Sequence, residues 1–182
     1  MENRRDSLIR AAFEHLALHG FEGLRLRAVA TDAGIDHSTL HHHFRTKEDL
    51  VTAVAQYATS QFWDTMPADG DPAQRLSVHL ATLTEMIQTR PALFAVLNEM
   101  RGRATRDVAT AATVRHYEQG WREALDGLLK AGVTTGAFPA GLDIGAAVEL
   151  IIAVTKGVND SPECATLAFG ELERLLRAEE HP

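Results

Sequence analysis

The residues with the most chemistry in this chain lie together in one short stretch, His37-Ser38-Thr39-Leu40-His41-His42-His43. Four imidazoles and two hydroxyls within seven residues allow two kinds of chemistry. Imidazoles and hydroxyls donate to and accept from base edges and phosphate oxygens, which suits reading a nucleic acid. Imidazoles four residues apart can also share a cation, and His37/His41 and His15/His19 both have that spacing. No cysteine lies near either pair, and the neighbouring carboxylates follow no ligand pattern. Zinc needs more protein ligands than one pair provides, so no metal and no cofactor are expected.

These side chains need a frame. Val29, Ala30 and Ala33 give the preceding segment an apolar face, and Gly34 permits a sharp turn at a helix end. Ile35 then packs into the angle, and Asp36 is expected to cap the next helix with its carboxylate. On that helix Leu40 and Phe44, four apart, must face inward. Stepping ~100° per residue from this edge points Ser38, Thr39 and His42 most directly away. His41 and His43 flank them, and His37 lies in the first turn nearer the buried side. Arg45 and Lys47 follow where a further helix begins. Two short helices about a turn, with polar groups outward on the second, are a means of entering the major groove.

A net charge of −7 over 182 residues at first argues against a polyanionic partner. Its distribution removes the objection. Residues 1–50 hold seven Lys/Arg against eight Asp/Glu, while residues 51–182 hold eleven against seventeen. Six of the nine histidines also fall in the first fifty residues, and protonating them adds positive charge there. No apolar run reaches membrane-spanning length, and MENRRDSLIRAAFEHL carries charges where a signal peptide needs a hydrophobic run. The lone Cys164 cannot form an intrachain disulfide. A cytoplasmic protein with no membrane association is expected.

Helical spacing recurs along the chain and period-two alternation does not. Ile9, Ala12, Phe13 and Leu16 form the first stripe, which His19-Gly20 is expected to end. Asp71-Pro72 is a helix start, followed by Leu76, Leu80, Leu83 and Ile87 and a break at Arg90-Pro91. Leu93, Phe94 and Leu97 open another segment. A long helix is expected over about 106–131, with Val114, Tyr117, Trp121, Leu125 and Leu128 on one face. Gly132 to Gly141 reads as a loop. Asp143 caps a helix through Ile144, Val148, Ile151 and Ile152, and a last helix carries Ala165, Phe169, Leu172 and Leu176. The fold class is all-α, with about nine helices.

Gly20-Phe21, Leu26-Arg27, Val29-Ala30, Ala33-Gly34-Ile35 and Ser38-Thr39-Leu40, followed by Phe44, Lys47 and Leu50, strongly resemble the TetR family of transcription regulators. The match runs in order and without gaps over about the first fifty residues. It implies a three-helix DNA-binding domain at 1–47 and a helical ligand-binding and dimerisation domain at 48–182. It further implies a homodimer on a near-palindromic double-stranded DNA operator, most often repressing, and released by a small-molecule inducer. The DNA-binding candidates are Arg25, Arg27, His37, Ser38, Thr39, His41, His42, His43 and Lys47. By the resemblance, Ser38 and Thr39 touch bases or backbone and Lys47 touches phosphate. Two positions depart from the pattern. His41 stands where a tyrosine is usual, and Arg25 stands where Thr or Ser usually opens the helix. An arginine caps poorly and opposes the helix dipole, so Arg25 is read as reaching for phosphate.

In the body, Trp63, Met86, Phe94, Tyr117 and Trp121 supply large apolar surface. Polar His79, Asn98, Glu99 and His116 interrupt it, and burying such groups requires a partner from the protein or from a ligand. These nine are the ligand-binding candidates. The terminal stripes Ile144, Val148, Ile151, Ile152 and Phe169, Leu172, Leu176 either cap the core or join a second chain in a four-helix interface. The resemblance implies pairing. The alternatives are a helical metal- or cofactor-dependent enzyme using the histidines and an adaptor without DNA binding. The first lacks a paired acid–base constellation, a nucleophile with a partner and a phosphate loop.

Overall fold

A computed structural model describes residues 3–62 and 64–177 of the chain. These form α1 Arg4–Gly23, α2 Leu26–Asp32, α3 His37–His43, α4 Lys47–Ser60, α5 Pro72–Thr89, α6 Pro91–Ala104, α7 Val108–Thr135, α8 Ile144–Val158 and α9 Ala165–Leu176, with one 3₁₀ turn, Pro162–Cys164. No strand occurs among the described residues, so the all-α expectation holds. Two compact units divide the chain: residues up to 62 together with 92–117, and the remaining described residues.

The core of the first unit is set by α1 against α4. Leu8, Ile9, Ala12 and Leu16 are buried on one side, and Leu50, Val51, Val54 and Ala58 on the other. Phe13 lies edge-on to Tyr57 at 5.6 Å. His19-Gly20 ends the main run of α1 as expected, and a separate short turn follows it. Gly20 takes φ 62°, ψ −175°, a region open almost only to glycine, and one more turn continues to Gly23. The start of α4 is fixed by a capping box that the sequence displays as Thr-Lys-Glu-Asp. The Thr46 hydroxyl accepts from Asp49 N–H at 3.0 Å, and the Asp49 carboxylate accepts from Thr46 N–H at 3.0 Å.

In the second unit, Asp71 caps α5 through Ala73 and Gln74 N–H, and Asp143 caps α8 through Ala146 N–H, both as expected. The long helix starts two residues later than expected because Asp107 accepts from Thr110 N–H at 2.6 Å. It also outlasts Gly132. That glycine supplies space, since a Cβ there would stand 2.1 Å from the Phe138 ring. The helix therefore continues until Thr135, and the buried Phe138 folds back over it.

The terminal stripes require a correction. Val148, Ile151, Ile152, Phe169, Leu172 and Leu176 are buried within the single chain and Ile144 is half-buried, as α9 packs on α5 and α8. Groups already withdrawn from water in one protomer have no surface left to offer another. The side of these helices that remains open carries Leu150, Leu167 and Leu175, exposed by 44%, 78% and 58%.

Candidate nucleic-acid interface

The geometry of the reading segment is built from α2 and α3. Between them Gly34 (φ 66°) closes a Schellman motif. Ile35 N–H reaches the Ala30 carbonyl at 2.9 Å, and Gly34 N–H reaches the Thr31 carbonyl at 3.0 Å. Val29, Ala30, Leu40 and Phe44 are buried, which fixes the outward face of α3. Asp36 sits at the N-cap of α3, but its exposed carboxylate makes no capping bond, contrary to expectation. Only its backbone carbonyl engages the helix, accepting from Leu40 N–H at 3.0 Å.

Along α3, Ser38, His41, His42 and His43 are exposed, and His37 and Thr39 are half-buried. The His37 and His41 rings meet edge to face with centroids 4.6 Å apart. No group of three or more metal-ligating side chains occurs among the described residues. Arg25 and Arg27 are exposed at the start of α2, and the Arg25 side chain makes no cap there. His15 on α1 bonds the Asp32 carboxylate at 2.7 Å, tying α1 to the end of α2. An open cavity of about 480 Å³ lies beside Arg25, lined also by His15, His19, Gly23 and Ala28.

Lys47 is more committed than its sequence context implies. Its ammonium donates to the Phe21 carbonyl at 2.6 Å and lies 4.0 Å from the centre of the Phe21 ring. Glu99, expected in a ligand pocket, accepts from Phe21 N–H at 2.8 Å. The Arg103 guanidinium also lies over the Phe21 ring, 3.4 Å from its centre, and reaches Glu48 at 3.7 Å and Asp107 at 3.4 Å. One bent turn of α1 is thus gripped by α4 and α6. The members of this cluster are far apart in the chain, and no local spacing marks them as neighbours.

The other pocket candidates separate. Asn98 accepts from Arg101 within α6, and His116 is exposed, so neither is a buried polar group awaiting a ligand. Phe94 and Tyr117 each meet the Phe62 ring at 5.9 Å. In the other unit Met86 is buried, and Trp121 N–H donates to His79 Nε2 at 3.1 Å. Trp63 lies outside the described residues.

His79 is unusual in that company. It is only 2% exposed, and besides Trp121 its ring faces the Thr65 backbone. Burial lowers its pKa from 6.5 to about 4, and a hydrogen bond to the Thr65 backbone opposes the shift. The ring is therefore neutral near pH 7. Because indole N–H only donates, Nε2 must hold the lone pair and Nδ1 the proton.

Residues 8–54 match the bacterial regulatory proteins of the tetR family, and residues 72–170, more than half of the chain, match the C-terminal domain of BetI-type transcriptional repressors. The chain is a TetR-family transcription regulator. Proteins of this family are DNA-binding regulators rather than enzymes, which removes the enzyme alternative. This TetR-family chain is 23% identical over 148 residues to the fatty acid metabolism regulator protein of Bacillus subtilis, covering 79% of the chain and 75% of that protein. It is 25% identical over 146 residues to the transcriptional repressor KstR2 of Mycolicibacterium smegmatis, covering 78% and 71%. A TetR regulator structure from Haloarcula marismortui superimposes with a TM-score of 0.88 at 23% identity, covering 96% of the chain and 98% of that structure. No described helix of the TetR-family chain is long and apolar enough to cross a membrane.

Proposed function

We propose that the protein is a repressor that binds a near-palindromic operator as a homodimer and leaves it when a small molecule enters the helical body. Residues 1–47 read DNA, and residues 48–182 hold the ligand and the second subunit. The observation that carries this reading is α3, whose buried Leu40 and Phe44 leave Ser38, His41, His42 and His43 exposed on a seven-residue helix. At ~1.5 Å per residue that helix fits within a major groove ~12 Å wide. Arg25 and Arg27 flank it as phosphate contacts, with Thr39, His37 and Lys47 contributing from half-buried positions.

Dimerisation uses the open side of α8 and α9. Leu150, Leu167 and Leu175 are large apolar groups left in water there, and exposed Ala146, Ala153, Gly157 and Gly170 allow close approach of a second helix pair. A two-fold pairing places two copies of α3 on successive major grooves. One matched relative is named for fatty acid metabolism, which supports an apolar inducer, and a DNA partner supports a cytoplasmic site of action.

Titration of labelled DNA from upstream of the protein's own gene, at several salt concentrations, tests the reading. Specific, salt-steep binding supports it, and removing one phosphate-neutralising cation lowers the slope of log K against log salt by about 0.9. Arg25→Ala is expected to show that drop. Binding to no sequence would favour the adaptor.

A further inference from the structure

The geometry points to His19 as a DNA-contacting residue: with Arg25 it encloses one phosphate of the operator backbone in the cavity between α1 and α2. The inference rests on reading residues 1–47 as the DNA-binding domain, and it adds a residue and a site that the reading helix does not supply.

The site is built at the end of α1 from the second pair of imidazoles with four-residue spacing. The His15 and His19 rings lie with centroids 5.8 Å apart. Asp32 takes His15 Nε2 at 2.7 Å, so His15 is committed to joining α1 to α2. His19 is exposed and has no hydrogen bond or ion pair among the described residues, and the same holds for the Arg25 side chain. These two border the open cavity of about 480 Å³, with His15, Gly23 and Ala28 completing its wall. No carboxylate lines it. Gly23 keeps the space, since a Cβ there would stand 2.5 Å from the His19 Cβ and force the imidazole from its place. The φ of Gly23 is not positive, so this glycine is required for room and not for backbone conformation.

Two contacts place the cavity along the helix-turn-helix. The His15–Asp32 bond holds α1 to the end of α2, just before the Gly34 turn. The Lys47 ammonium on the Phe21 carbonyl holds the end of α1 to the start of α4, just after α3. When a recognition helix enters the major groove, the helix before it crosses the sugar–phosphate backbone. A phosphodiester at this crossing meets a guanidinium of fixed charge and an imidazole, which offers an N–H in either neutral tautomer. A metal cation is disfavoured at the same place, because Arg25 carries positive charge and no lone pair.

The test uses the full chain and a duplex from upstream of its own gene, carrying a single methylphosphonate at each backbone position in turn. Each substitution removes one phosphate charge and leaves the base sequence intact. In the parent, one position in each half-site is expected to weaken binding about tenfold, because bonds to a charged group are lost there. His19→Ala is expected to weaken binding to the unmodified duplex by a similar factor, and the methylphosphonate at that position then costs less than about twofold more. Arg25→Ala is expected to behave alike at the same position, and His19→Gln, which keeps a donor, to recover part of the loss. Because His19 is exposed and unbonded, its variants are expected to melt with the parent. With ¹⁵N-labelled histidine, the His19 ring signals are expected to move when the duplex is added. The proposal is overturned if His19→Ala binds the duplex as well as the parent does, or if every methylphosphonate costs that variant as much as the parent. A response of the His19 signals to millimolar inorganic phosphate and not to the duplex would assign the cavity to a free anion and also overturn it. A parent that binds no duplex sinks the operator reading itself, whereas duplex binding indifferent to residue 19 sinks only this site.

Discussion

Acidification offers a direct measurement of how strongly the interior holds His79 neutral. In the unfolded chain this imidazole titrates near 6.5, and in the folded chain at about 4, chiefly because burial disfavours the cation. Between those values the unfolded chain carries a proton at residue 79 that the folded chain does not. Stability from this site is therefore fully present above pH 6.5 and is lost as pH falls toward 4. One pKa unit corresponds to about 1.36 kcal/mol, so the loss between pH 7 and pH 5 is about 2 kcal/mol. Other groups titrate in the same window, and a variant isolates the contribution. His79→Gln preserves the Trp121 bond and cannot take the proton. Urea denaturation of both proteins at constant ionic strength, at half-unit steps from pH 7 to pH 5, gives two stability curves. The parent is expected to fall more steeply, by about 2 kcal/mol in total. Parallel curves would refute the reasoning, because they would mean that the folded interior accepts the proton on residue 79 without penalty.

Three further outcomes follow from the packing. Glu99→Ala leaves Phe21 N–H without its acceptor and is expected to cost about 1–3 kcal/mol, or several degrees in Tm by calorimetry, with Glu99→Gln losing less. Gly132→Ala drives a methyl group into the Phe138 ring and is expected to destabilise by about 1–3 kcal/mol, whereas Gly127→Ala, in open space on the same helix, is expected to stabilise by up to ~1 kcal/mol in the same denaturation assay. Leu167→Arg puts a charge on the open face of α9 and is expected to yield monomers in sedimentation at micromolar concentration, with helix content by circular dichroism unchanged; a persistent dimer would place the interface elsewhere.

What is legible in the sequence is what acts over a few residues. The Asp71 and Asp143 caps, the Gly34 turn and the inward pair Leu40/Phe44 all follow from groups within five positions of one another. The Thr46/Asp49 capping box, three residues apart, is of the same local kind. Legibility fails where one pattern serves two ends. An apolar stripe on α8 or α9 has the same spacing whether it faces its own core or a partner, and only the packing of α9 on α5 shows that the core takes it. Gly132 reads as a helix breaker by type, yet it serves to admit a ring six residues later.

The polar groups of the body show why local patterns stop short of mechanism. Asn98, Glu99, His79 and His116 look alike in sequence, as polar residues among apolar neighbours. Their fates are decided by partners at very different separations. Asn98 is satisfied three residues away and Glu99 by Phe21 at a separation of 78, while His79 meets Trp121 at one ring nitrogen, at a separation of 42. Through Glu99 the body also reaches the reading head. Phe21 gives its N–H to α6, its carbonyl to the first residue of α4 and its ring to cations from both. A shift of α6 thus cannot leave Phe21 in place without breaking at least one of these interactions, and Gly20 beside it is the point where α1 already bends. The helix-turn-helix is legible as a motif, but the position of its supporting helices depends also on Glu99, a residue of α6 that no motif marks.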